Sequence, residues 1–200
     1  HADKLNELRA AHSDWVKRTG DLGLLPEAEI EIREKTAGAR FNILKGKTKL
    51  NAQLGNAAAM ASSGVYALPS MLQAMRHPDA AVRYWGATGV GNIGPQAANA
   101  RQPMIDALKD KSPSVRIAAA RALAKLGEPK LALPVLEAEL QSEHQWGRLA
   151  AAIVLDEMDA QAKPSIPALK KALKNQPNKY IVRVVNRALN ELQGTNNVVP

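Results

Sequence analysis

Two hundred residues can bury a sizeable core, and 46 % of them are hydrophobic, but only 4 % are aromatic and phenylalanine occurs once. The lack of cysteine excludes disulfides, thiolate metal sites and a cysteine nucleophile, and no run of 18 apolar residues occurs that could cross a membrane as a helix. The net charge of +8 is uneven: residues 161–190 hold Lys163, Lys170, Lys171, Lys174, Lys179, Arg183 and Arg187 with no acid, whereas 21–34 hold Asp21, Glu27, Glu29, Glu31 and Glu34 against Arg33 alone. Such a basic end suits phosphate or sulfate polyanions, or simply a solvated end-cap.

In chain order, Leu5, Leu8, His12, Trp15 and Val16 fall on one face of a helix expected over 1–19, with Gly20 placed to end it. An opening on His1 inside that helix is expected of a piece of a longer polypeptide. The segment 21–30 reads as a linker, and Pro26 with Glu27 and Glu29 as a helix first turn. Gly38, Gly46 and Thr48 interrupt the next stretch, and an alanine-rich helix is expected from about Leu50 to Ser62.

From residue 66 one phrase returns about every 33 residues. VRYWGATGVGNIG (82–94), VRIAAARALAKLG (115–127), GRLAAAIVLDEM (147–158) and VRVVNRALNEL (182–192) align on Arg83, Arg116, Arg148 and Arg183. Each comes after a shorter helix with a recurring proline (Pro69, Pro103, Pro134, Pro167) in its opening turn. Leu72, Ile105, Leu136 and Leu169 share one slot, and Met75, Leu108, Leu140 and Leu173 a second. Gly94 and Gly127 are placed to end the second helices. A fixed period of this length predicts an all-α fold, an α-solenoid in which each helix pair buries its apolar face against its neighbours. The expected units are a helical lead over 1–65, with a degenerate repeat at its end, and four repeats at 66–94, 95–127, 128–160 and 161–194.

The pattern L-P-x-x-L followed by D-x-x-V-R-x-x-A-x-x-A-L-x-x-L-G resembles HEAT repeats of the bacterial, phycobilisome-lyase-like kind. The phrase LRAAHSDWVKRTGDLGLLPEAEIEIRE (8–34) resembles the C-terminal end of bacterial sulfatases, some of which continue into HEAT repeats; Trp15, Thr19, Asp21, Gly23, Leu24, Leu25, Pro26 and Glu27 carry that likeness. It implies a calcium-dependent sulfatase domain upstream, exported to the periplasm or beyond, with this chain as its non-catalytic extension. The residues in hand lack that domain's Cys/Ser-x-Pro-x-Arg motif; the nearest string, SPSVR at 112–116, has its proline one place early. The chain itself is therefore expected to hold no catalytic residue, metal or cofactor, and to bind an upstream domain, another protein or a sulfated polysaccharide.

Two readings stay open for the arginine ladder. It could grip an anionic partner in a groove, or each arginine could pair with an acid or carbonyl of a neighbouring turn, as Asp79 is placed to do for Arg83. Tyr84, Ile117 and Leu149 align on a flank that suits protein binding or packing between repeats, and Trp85, aligned with Ala118 and Ala150, points inward. The candidate interaction surface is Arg83, Tyr84, Arg116, Ile117, Arg148, Lys170, Lys171 and Arg183. A nucleic-acid-binding module is the alternative function, and it requires Arg116, Arg148, Lys170, Lys171 and Arg183 to share one face. An enzyme acting on a tetrapyrrole–protein linkage is the weakest reading, since no nucleophile or acid/base pair stands out. None of His1, His12, His77 and His144 pairs with another at helical metal-site spacing, and Asp156, Glu157 and Asp159 read as a solvated helix end.

Overall fold

The computed structural model describes residues 1–200, the side chain of Thr48 excepted. Among the described residues all regular structure is helical. The lead comprises α1 (Ala2–Thr19), α2 (Glu27–Ala37) and α3 (Thr48–Met60). Gly20 ends α1 in the left-handed conformation at φ 67°, with its amide bonded to the Val16 carbonyl. Asp21 then caps a short 3₁₀ turn, Leu22–Leu24, by accepting from the Gly23 amide.

Four helix pairs make up the rest: α4 (Leu68–Ala74) with α5 (Ala80–Ile93), α6 (Arg101–Ala107) with α7 (Pro113–Lys125), α8 (Pro129–Glu139) with α9 (Gln145–Glu157), and α10 (Ile166–Ala172) with α11 (Lys179–Gln193). They stack in chain order, each second helix packing on the next: α5 on α7, α7 on α9, α9 on α11. The array is an all-α solenoid, and α3 packs against α5 at its start.

The core repeats with the sequence. Val82, Val115, Gly147 and Ile181 are equivalent, as are Val90, Leu123, Leu155 and Leu189, and all are buried. Small residues at the middle positions Gly86, Ala119 and Ala151 let the helices approach closely. In the first helices Met71, Met104, Leu136 and Leu169 are fully buried. In the first two repeats the core slot is thus one residue before the expected Leu72 and Ile105, which are only partly buried. Methionine's flexible thioether fills a slot that the L-P-x-x-L spacing assigned to its neighbour.

Three further expectations shift. Pro134 lies inside α8 rather than in its opening turn, because α8 begins a turn earlier at Pro129. Gly94 has positive φ but extended ψ (66°, −139°), so it turns the chain without the left-handed helical cap. Arg183 is one place out of the ladder: the burial phase of α11, set by Ile181 and Val185, makes Val182 the equivalent of Arg83, Arg116 and Arg148.

Candidate functional site

The turns that begin the second helices share one construction. Asp79, Ser112 and Asn178 occupy N-caps and accept from the amides of Ala81, Val115 and Tyr180. Two residues earlier, His77, Asp110 and Gln176 each accept the N-cap's own amide. His77 is accordingly a turn residue, with Nδ1 at 3.0 Å from the Asp79 nitrogen.

The ladder arginines stitch these turns. Arg83 donates from Nη1 to the carbonyls of His77 and Pro78, and its Nε and Nη2 form a two-pronged pair with the carboxylate of Asp110 in the next repeat, at 2.7 and 2.8 Å. Arg116 repeats this on the carbonyls of Asp110 and Lys111 and the carboxylate of Glu139. Arg148 donates to the Ser142 carbonyl, while its buried Nε has no partner. Arg183, off the ladder, donates to the carbonyl of Pro200. Burial opposes ionisation of Asp110, but Arg83 and the Ser112 amide outweigh it and hold the carboxyl below its usual range.

Asp79 pairs with Arg33 of α2 at 2.8 Å and not with Arg83 as expected, because α2 reaches across the starts of the second helices. The Ser112 hydroxyl donates to the buried carboxylate of Glu29, one turn earlier on α2. Trp85 Nε1 donates to the Leu24 carbonyl at 2.7 Å, so the inward-pointing indole ties the lead to the first repeat. Glu29, in the acidic first turn of α2, thereby lies at the positive N-terminus of α7, the favourable sign.

Beside α2 the second helices form a groove of about 420 Å³ with an apolar lining. Tyr84, Ile117 and Leu149 line it with Trp146 and Ile153, and Pro26, Glu27 and Ala28 close one end. At the far end Arg121 makes a two-pronged pair with Glu157, 2.7 Å on both prongs, and donates to Asn92 at 3.0 Å; Lys125 joins at 3.2 Å. Hydrogen bonding from Arg121 holds the Glu157 carboxyl below its ordinary value. Glu157 is thus engaged rather than free at a solvated end, and Asp156 is nearly buried, its side chain 10 % exposed and Oδ1 unpartnered.

Of the candidate surface, Tyr84 and Ile117 meet in this groove. Arg83, Arg116 and Arg148 are held in the turns. Lys170 and Lys171 are exposed on α10, among the first helices, away from the groove lining. Thr88, Arg121 and Ile153 carry no signal of their own in the sequence, yet each lies four residues beyond Tyr84, Ile117 and Leu149, one turn along the same stripe. Among the described residues no group of three or more His, Asp or Glu converges to hold a metal ion.

Residues 68–156 match a family model described as HEAT repeats, so this part of the solenoid is similar to a HEAT-repeat array. No curated protein matches the chain.

Proposed function

We propose that the chain is a non-catalytic scaffold and that its lead and repeats form the C-terminal extension of an exported, sulfatase-type hydrolase. The observation that carries this reading is α1. Its apolar stripe is left uncovered, with Leu5, Leu8 and Trp15 exposed by 47, 57 and 50 %, while its far end is anchored through Val16 and by packing on α3. A helix that presents leucines and a tryptophan to water marks an interaction surface. The resemblance of residues 8–34 to a sulfatase C-terminus supplies the neighbour, a catalytic domain that the repeats would hold in place. The exposed lysines 163, 170, 171, 174 and 179, with no acid within 4 Å among the described residues, would keep a sulfated polysaccharide near that domain.

The experiment mixes the chain with a separately expressed sulfatase catalytic domain carrying Cys/Ser-x-Pro-x-Arg and measures the complex by light scattering after size exclusion. A complex that Leu8→Asp abolishes supports the reading. No complex at tens of micromolar would return the chain to a generic scaffold.

A further inference from the structure

The groove face is only partly used by the chain itself. α2 occupies one lane: Glu29 meets the cap of α7, and Arg33 the cap of α5. Its axis therefore runs across the second helices at their N-terminal ends. A helix packed beside it would lie 8–10 Å further along them, about six residues at 1.5 Å per residue. That distance falls on Tyr84–Thr88 of α5, Ile117–Arg121 of α7 and Leu149–Ile153 of α9, the residues that line the open groove. The lane has an apolar floor, two aromatic side chains (Tyr84 and Trp146), and a polar stop at Asn92, Arg121 and Glu157. Ile153 is 48 % exposed there, on an otherwise buried stretch of α9.

We infer that this second lane is a docking site for one amphipathic helix of a partner protein, laid alongside α2. Continuity with α2 carries the choice of a helix, since a helix already sits on the same face one helix width away. The occupant needs an aliphatic ridge at i, i+4, i+7 to fill the space between Tyr84, Leu149 and Ile153. It also needs a lysine or arginine at the end nearest Glu27, the exposed rim carboxylate with no ion pair among the described residues. This inference rests on the scaffold reading and names its partner class; it does not require the sulfatase domain, which α1 addresses.

The probe is a fluorescein-labelled 14-residue peptide with leucines at i, i+4, i+7 and i+11 and lysines elsewhere, titrated with the full chain and followed by anisotropy. Saturable binding is expected, weakened at least tenfold by Ile153→Asp and severalfold by Glu27→Lys, and unchanged by Lys170→Glu with Lys171→Glu. Ile153 is half exposed, so its replacement leaves the core intact, which circular dichroism checks. Equal binding of a scrambled peptide, equal binding by Ile153→Asp, or no saturation at millimolar chain would overturn the inference. Self-association of the chain that both Leu8→Asp and Ile153→Asp abolish would also overturn it, by giving the lane to α1 of a second copy. Loss of the catalytic-domain complex on Leu8→Asp with peptide binding intact separates the two proposals.

Discussion

A side chain has no room at Gly86. A Cβ built there would lie 2.7 Å from the Met71 carbonyl oxygen and 2.8 Å from Met75 Cγ. The first contact is with backbone, which cannot swing aside, so α4 would have to move away from α5. Gly86→Ala is expected to destabilise by about 1–3 kcal/mol despite alanine's better helix propensity; a urea midpoint equal to wild type would contradict the close approach. Arg148 shows the opposite defect, a missing partner. Arg83 and Arg116 use Nε on a carboxylate, whereas in Arg148 that atom is buried and unpaired. The next-repeat position that Asp110 fills for Arg83 is held by Gln176, which bonds the Asn178 amide as Asp110 bonds that of Ser112. Gln176→Asp should keep that turn bond and give Arg148 its acid, raising stability by about 0.5–1 kcal/mol at low salt, with the gain shrinking in 1 M salt.

At the scale of elements, the α9–α11 contact contains a carboxyl in an unfavourable place. Burial, aided by Glu191 and Asp159, pushes Asp156 above its ordinary value, and Arg187 at 3.4 Å only partly opposes this. Lys163 lines the same cavity and makes no ion pair among the described residues. Because the folded-state value is raised, the folded chain holds the proton more tightly than the unfolded one. The favourable contribution is complete below about pH 3.8 and is lost as pH rises through the raised value. Asp79, Asp110 and Glu157 have the reverse sign, for their lowered values stabilise at neutral pH and that support fades in acid. Asp156→Asn, which has no charge to bury beside Glu191 and Asp159, should therefore be more stable than wild type at pH 7, by about 1 kcal/mol, with the difference vanishing below pH 3.8. Denaturant melts at pH 3.5, 5 and 7 check the sign; a constant difference across them would exclude this origin.

At the scale of the molecule, the 33-residue period made the stack of helix pairs legible, since each phrase carries its own apolar face. Two departures came from local substitutions that a period cannot report: Met71 and Met104 taking the slot beside Leu72 and Ile105, and Val182 in the place expected of Arg183. The groove was half legible, because Tyr84 and Ile117 align on its flank, while the residues one turn beyond them carry no shared pattern. What sequence could not place was the lead on the array, which rests on pairs 46, 61 and 83 residues apart. These ties join charged or indole groups that look like surface or junction residues in their own segments. Their consequence is measurable. Removing residues 1–37 deletes the acceptor of Trp85 and the partners of Asp79 and Ser112 together, leaving a partly buried indole and two N-caps facing water. The remaining repeats keep their own core and should stay helical, but the melting temperature should fall by several degrees, and Trp85→Phe in the full chain by less, on the order of 1 kcal/mol for one hydrogen bond. An unchanged melting temperature on truncation would mean that the lead rests on the array without stabilising it, and the lane beside α2 would then lose the neighbour that defines it.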